Sequence, residues 1–551
     1  MQLKFLISSV VVITALSCQA APITPTEALG RIEKEYGGIR KAKAESTPRL
    51  LKTISSANGT PSIYIFTYTG DTGFMIVSAD DSVMPMLAYS DEGIHDFTDI
   101  PEGVNAWIQN YADQIDDIQK NPQNVNKRAA TRAHRESIAT MLKTNWKQGH
   151  PFNGLCPPWT EGGFKENSLA GCVGLAVAQM TTYWRYPSKG YGFIQYNWYN
   201  ETKGPELSLN ADEIFIDWDN ICDSYVYGSG YTPEQKDAMN ELIQLCSYAV
   251  YSEFGYYATG AKAENVRDRI VEFLGFSEEA VSDFRSNYEE QAEWEDLLHA
   301  SLVNYGPIVY AGYSGGSGHC FVMDGYDAHT QRFHFNWGWE GVYNGYYTLT
   351  TLGAGGNSFA NSQRCAYNIR PADPEIMPVS MMINGVEMDK LPTTPKEEMP
   401  LYLLDDPTEL EIEFGFEMSK GVLDSPITAT VYDIDPETEE LGKEISTDQL
   451  GDAINLRLGF EKINHTLTLP NDDQKMYAIA LKYENKWHND PVTFAMFKTA
   501  SSKITTGLNS ISANTNAVPI YFNLQGIKIS NPSAGEILIR KTGDKTEKIV
   551  Y

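Results

Sequence analysis

Cysteine is scarce in this chain, with seven in 551 residues. One of them, Cys18, falls inside the apolar N-terminal stretch, and the other six are Cys156, Cys172, Cys222, Cys246, Cys320 and Cys365. No CxxC pair occurs, so neither a disulfide scaffold nor a structural zinc site is supported, and a working thiol becomes a reading to test. Positive charge is also short. Lys and Arg number 43 against 72 Asp and Glu, a net charge of -29, which speaks against a nucleic-acid partner and against an anionic membrane surface. Beyond the first twenty residues no apolar run is long enough to span a bilayer. The glycine-rich run Gly315 to Gly318 follows no strand-to-helix phosphate pattern, so nucleotide binding is not expected.

At 551 residues the chain exceeds one ordinary core, and roughly three or four domains is the expectation. "MQLKFLISSVVVITALSCQAAP" has Lys4, an apolar stretch and then small residues, which reads as a secretory signal over 1–20. Lipid attachment at Cys18 is the variant, weakened by the alanine in "ALSC". Residues 21–136 read as a small α+β unit ending in a basic linker. "TPTEALGRIEKEYGG" is a Thr-capped helix, "PSIYIFTYT" and "GFMIVSADD" are strands, and "VNAWIQNYADQIDDIQ" is an amphipathic helix. The linker, with Lys127, Arg128, Arg132 and Arg135, is expected to be exposed and open to proteolysis. Residues 137–372 put helices first and antiparallel strands second. From 373 to 500 the pattern is all-β, with Leu410, Ile412 and Phe414 alternating against glutamates, as in a β-sandwich of immunoglobulin type. Residues 501–551 read as a linker and a short β tail.

Within this frame one thiol stands out by position. In "ENSLAGCVGLAVAQMTTYWRYP", Cys172 follows a glycine at the head of an apolar helical run. Cysteine is a common core filler there; equally, unpaired N–H groups and the helix dipole at that position favour a thiolate. A nucleophile needs a base and the base an orienting group. His319 in "SGGSGHCFVMDG" is the best placed base, and "FHFNWGWEG" offers Asn336 to orient it and Trp337 to cover that contact, although each alone is also an ordinary packing residue. Cys, His and Asn in this order is the papain-type arrangement. His329, His334 and Asp327 fit no common zinc spacing, and His150 and Cys156 read as structural.

These motifs together resemble the streptopain family of secreted bacterial cysteine peptidases. "GCVGLAVAQMTTYWRYP", "GHCFVMDG" and "NWGWEG" match its Cys, His and Asn-Trp-Gly-Trp motifs, "MLKTNWKQGHPFNGLCP" an upstream one, and "GFMIVSADDSVMPMLAYSDEG" its inhibitory prodomain. The resemblance implies a papain-like α+β catalytic domain of two subdomains behind an inhibitory α+β prodomain. Cys172 would be the nucleophile, His319 its base and later acid, and Gln148 the side-chain donor to the oxyanion beside a helix N-terminal N–H. Asn336 and Trp337 would support the imidazole, with the orienting role open between them. A preformed thiolate–imidazolium pair would make metal and cofactor unnecessary. Three positions depart from the pattern: Cys320, expected to be a buried filler facing away from the cleft, Glu340, and Gly174, expected only to weaken the helix start slightly.

The implied partners are protein or peptide substrates and the chain's own prodomain, acting outside the cell or at its surface. "YFNLQGIKI" and the terminal strands resemble sorting tails of the type IX secretion system, a possible further partner. Two alternatives stand beside hydrolysis: a silent surface-binding protein on the same fold, and a transglutaminase-like acyltransferase, against which "NWGW" argues.

Overall fold

In the computed structural model the described residues are 22–37, 47–68, 72–122, 135–159, 166–197, 206–225, 230–314, 317–349 and 362–383, followed by separate strand segments as far as residue 550. The expected signal segment, linker residues Lys127, Arg128 and Arg132, and the 501–519 linker lie outside them.

The first helix, α1 (Pro25–Tyr36), starts where the sequence places a cap. The Thr24 side chain accepts from Glu27 N–H, the Glu27 carboxylate accepts from Thr24 N–H at 2.8 Å, and Pro25 sits at the first helical position, so the exposed first-turn donors are satisfied locally. Strands β1 (Arg49–Ser55), β2 (Pro61–Thr67), β3 (Thr72–Ser78) and β4 (Met86–Ile94) follow as an antiparallel meander. Strands β2 and β3 are buried along nearly their whole length because both faces are covered. Ala28, Ile32 and Tyr36 of α1 pack with Tyr64, Phe66, Met75 and Val77. The opposite face, with Ile63, Ile65, Phe74 and Ile76, packs on α2 (Glu102–Lys120) through Val104, Trp107, Ile108 and Tyr111. The alternation of sheet side chains between faces makes this two-sided arrangement possible.

Next come the hairpins β5 (Pro158–Trp159)/β6 (Glu166–Asn167) and β7 (Phe193–Asn197)/β8 (Glu206–Asn210), with helices α3 (Cys172–Trp184), α4 (Pro233–Ala249) and α5 (Val266–Leu274). A second run contains β9 (Val281–Phe284), α6 (Gln291–Tyr305), β10 (Ile308–Ser314), β11 (Ser317–Asp327), β12 (Arg332–Asn336), β13 (Gly345–Tyr347) and β14 (Arg364–Tyr367).

The two ends of this stretch share one sheet, ten strands in the order β1-β2-β3-β4-β13-β12-β11-β10-β14-β9. The join is antiparallel pairing of β4 with β13, Tyr89 opposite Tyr346 and Ala88 opposite Tyr347, reinforced by stacking of the Tyr89 and Tyr346 rings at 5.0 Å. Below it the core is also shared: Trp107 of α2 meets Phe321, Phe335 and Trp337 edge-on at 5.7, 5.2 and 5.8 Å. Read from sequence, residues 21–136 form a unit of their own; in the molecule β1–β4 extend the sheet of the next unit and α2 shares its core.

Arg135 departs from the expected exposed linker. It pairs with Glu295 at 2.9 Å and Asp296 at 2.7 Å, its side chain only 7% exposed. These ion pairs tie the Arg135 side chain to α6 rather than leaving it free in solvent.

Beyond Pro371 the described residues are all strand or flanking backbone. One four-stranded sheet includes Glu375–Ile383 and Glu409–Lys420, a six-stranded sheet includes Thr428–Ile434 and Met476–Lys482, and a last four-stranded sheet spans Ile520–Phe522 to Lys545–Val550. The alternating segment around Leu410, Ile412 and Phe414 is indeed a strand. This region leans on the helical core: Gly421 N–H donates to the Tyr186 hydroxyl at 3.4 Å and Val422 packs beside it.

Candidate active site

Helix α3 begins at Cys172, with Gly171 at φ 86° before it. Cys172 is half-buried as a residue, and the N–H groups of Cys320 on β11, of Val173 and of Cys172 itself each pull its thiol pKa down. Gly174 has a packing reason that helix propensity does not reveal. A Cβ there would stand 2.4 Å from Ser247 Oγ and 2.8 Å from Ser247 Cα, so its absence lets α3 lie directly on α4. Ser247 in turn donates to Ala170 O at 2.9 Å, and Thr259 donates to Leu169 O at 2.8 Å, fixing the approach to the thiol.

Gln148 reaches this point through its backbone: Ala170 N–H donates to Gln148 O at 2.9 Å. Its loop is anchored upstream to the sheet. Leu142 N–H donates to Asp324 Oδ2 at 2.8 Å, while Asp324 Oδ1 meets His334 Nδ1 at 2.6 Å. Asn336 belongs to the same anchorage. Its Nδ2 donates to Thr144 O at 2.8 Å and its Oδ1 accepts from Gly338 N–H at 3.2 Å. The amide nitrogen of Asn336 thus serves the loop that leads to Gln148 and its oxygen closes the turn at Gly338, and in this state neither bonds to His319.

His319 lies on β11, buried, its Nε2 donating to Trp337 O at 2.9 Å. Its ring stacks with Trp337, Trp339 and Phe321 at centroid distances of 5.9, 5.8 and 6.2 Å. The N-terminal unit closes over it. A Cβ on Gly103, in the first turn of α2, would fall 2.4 Å from His319 Cβ and Cγ, so backbone and imidazole are in direct contact and only glycine fits.

Strand alternation puts His319 on the face of β11 turned away from the Cys172 side. Cys320 and Val322 face the core that includes α3, whereas Phe321 and Met323 face the core that includes α2. His319 shares the second face, with Phe321. Cys320 is buried, as expected of a filler, but it faces the Cys172 side rather than away from it, which corrects the sequence expectation.

Electrostatics follows from this separation. Burial raises the Cys172 thiol above its ordinary range against the pull of the three N–H groups, and burial pushes His319 down to about 4, partly opposed by the Trp337 carbonyl. Each group is neutral near pH 7. The preformed thiolate–imidazolium pair expected from sequence is therefore absent from this closed state.

The remaining sequence candidates have local roles. Glu340 is exposed, pairs with Lys147 at 2.7 Å and donates its N–H to Trp146 O at 2.9 Å, which places a carboxylate beside the Gln148 loop. Asp327 accepts from the Tyr89 hydroxyl at 2.7 Å, and His329 Nε2 meets Tyr36 O at 2.9 Å, so both belong to the contact with the N-terminal unit. Among the described residues no three His, Cys, Asp or Glu side chains are grouped to hold a metal ion. His150 is exposed and Cys156 is buried, its thiol pushed up to about 12 by burial. Sequence reading passed over Gly103, Thr144 and Trp339. Of these, two had a signal: Thr144 lies in "MLKTNWKQ" and Trp339 is the second tryptophan of "NWGW".

Comparison with known proteins agrees with this architecture. Residues 146–347 match the Peptidase C10 family and residues 20–115 match the Spi protease inhibitor family. Thiol protease/hemagglutinin PrtT of Porphyromonas gingivalis is 26% identical over 388 residues, covering 65% of this chain and 43% of PrtT; the chain thus spans less than half of that relative. Streptopain of Streptococcus pyogenes is 28% identical over 323 residues, covering 54% of this chain and 78% of streptopain. Among solved structures, a fragment of Prevotella intermedia prointerpain A is 28% identical with a TM-score of 0.50, covering 59% of this chain and 98% of the fragment. The fold is papain-like α+β with an inhibitory prodomain.

Proposed function

Since the chain carries a Peptidase C10 (streptopain-family) domain behind an Spi protease inhibitor prodomain, we propose that it is the zymogen of an exported cysteine endopeptidase in which Cys172, His319 and Gln148 carry the chemistry. The observation that supports this most directly is the contact of Gly103 with His319. A prodomain seated on the histidine of β11, the strand that packs on the thiol's helix, has a reason to be there if that histidine is the base.

When α2 withdraws, His319 loses its apolar cover and can turn toward Cys172. The imidazole then takes the thiol proton, and the pair is stabilised as thiolate and imidazolium by the helix N-terminus. The thiolate attacks the scissile carbonyl. The oxyanion so formed is met by the Gln148 side-chain amide and the Cys172 N–H. His319 gives its proton to the departing amine, leaving an acyl-enzyme, and then takes a proton from the water that hydrolyses it. Asn336 and Trp337 act as positioning residues: the first holds the Gln148 loop, and the second shields the imidazole. The residues given these roles need neither metal nor cofactor. The proposed substrates are proteins, the proposed location is extracellular or cell-surface, and the C-terminal strands after residue 519 are proposed as a sorting tail for type IX export. The unit boundaries at 20, 136, 372 and 500 are proposals in the same sense, with any maturation cut placed before Arg135.

The test is incubation of the purified full chain with casein under reducing conditions, with and without a thiol alkylating agent, while its own mass is followed. Hydrolysis that begins only after loss of the N-terminal unit is the expected result. Casein cleavage that survives alkylation would remove cysteine chemistry altogether.

A further inference from the structure

The loop between β12 and β13 carries Trp337 and Trp339 over His319; Trp107 packs on Trp337, and the prodomain's hydrogen bonds to the loop gather on Tyr343. Three groups in the segment after β4 make the grip. His95 Nδ1 accepts from Tyr343 N–H at 3.0 Å. The Asp96 and Asp99 carbonyls accept from the Tyr343 hydroxyl, the second at 3.4 Å. Asn344, the next residue, accepts from Trp337 N–H at 3.0 Å, so a hold on Tyr343 is a hold on the tryptophans.

The chemistry of the partners settles the state of His95. Its Nε2 faces Glu92 O at 2.7 Å. A carbonyl only accepts and a backbone N–H only donates, so the ring is neutral with its proton on Nε2. It is 7% exposed, edge-on to Phe74 at 4.8 Å and close to Phe97 and Tyr343 at 6.5 and 5.8 Å. No charged side chain among the described residues is hydrogen-bonded to its ring, although the Asp96 and Asp99 carboxylates lie near enough to act on the Tyr343 hydroxyl. The Asp96 carboxylate accepts from Thr98 N–H and Oγ1 at 2.9 and 2.7 Å. Glu92 and Asp99 present carbonyls, Lys52 donates to Phe97 O at 2.8 Å, and the Tyr343 hydroxyl is a donor held above its ordinary range by burial. His319 titrates at the same interface, against Gly103. A proton added to His95 would point an N–H at the N–H of Tyr343 and put a charge in an aromatic pocket.

We propose that His95 is an acid-sensitive latch: acidification loosens the prodomain from the loop bearing Trp337 and Trp339 and so starts maturation. This rests on residues 20–115 being inhibitory. The sign follows from linkage. Burial holds docked His95 below its ordinary value, whereas in the released state it titrates near about 6.5. The docked state thus binds fewer protons. The latch is at full strength above that pH and weakens as pH falls, by up to about tenfold per pH unit for one proton.

The test uses the full chain with Cys172→Ala, so that self-cleavage plays no part. Hydrogen exchange over residues 93–104 and 337–347 is measured from pH 7.5 to 5.0 and corrected for the intrinsic pH dependence of exchange. A second chain adds His95→Gln, whose amide can accept from Tyr343 and donate to Glu92 without titrating. Protection should fall with pH in the first chain, and in the second the slope should be shallower by up to about tenfold per pH unit. Equal slopes in the two chains would hand acid sensitivity to His319 or a carboxylate and overturn the proposal, as would protection that does not change with pH. His95→Phe, which lacks both hydrogen bonds, should be loosened at every pH; full protection there would show that the bonds do not hold the loop. The inhibitory reading fails separately, if the uncleaved wild-type chain hydrolyses a short peptide at neutral pH.

Discussion

The Cys172 end of the site and the His319 end are built differently. Around Cys172 the parts come from one compact unit: the first turn of α3, the Gln148 loop bonded to Ala170, and α4 packed through Gly174 and Ser247. Around His319 half of the parts come from the prodomain, with Gly103 on the imidazole and Trp107 against Phe321 and Trp337. The difference teaches how such a chain can be latent. On the proposed reading, the helix end that would stabilise a thiolate is already assembled, and latency would reside in the position and neutrality of the histidine. Only that half must move when the prodomain leaves.

The sharpest way to break this comparison is at the nucleophile. Cys172→Ala is expected to abolish peptide hydrolysis, by at least about four orders of magnitude, and to leave the chain unprocessed if maturation is autocatalytic. Normal processing of that variant by the producing cell would mean that another protease does the cutting. At the same end, Gln148→Ala should cost roughly 10²–10³ in kcat with little change in KM, because the donor acts on charge present only in the transition state. A KM effect alone would make Gln148 a substrate-binding residue.

The histidine end is probed by Gly103→Ala. The added methyl overlaps His319 and should weaken docking by about 1–3 kcal/mol, a gain of roughly 5- to 150-fold in the rate of prodomain removal by an added protease. An unchanged rate would show that Gly103 does not govern latency. The smallest effect is expected from Cys320→Ala. Its side chain faces the Cys172 side as buried filler and its backbone N–H acts on the thiol; alanine keeps the N–H and gives up only packing, so turnover by the mature enzyme should stay within about threefold. A large loss would make Cys320 a participant and unsettle the choice of thiol.

Much of the Cys172 end is legible along the chain because its cues are local. A glycine before an apolar helical run puts the thiol in the first turn, and "GHCFVMDG" reads as a strand carrying a histidine. The expected helices in the N-terminal unit and its central strands are likewise present. What could not be read depends on contacts between distant segments. Gly174 is needed because of Ser247, Asn336 turns to Thr144, and Arg135 is withdrawn from the expected linker by Glu295 and Asp296.

The sequence by itself determined which residue types are available and how each segment folds: a thiol at a helix start, a histidine on a strand after a glycine run, a capped helix and hydrophobic strands before them, and alternating strands after Pro371. Backbone hydrogen bonding and side-chain periodicity act within a few residues, so a linear reading captures them. Only the tertiary structure decided that β4 joins β13 in one sheet, that His319 faces α2 while Cys320 faces the thiol, and that both groups are neutral. Those outcomes rest on pairing register and on desolvation, which depend on what the rest of the chain brings into contact.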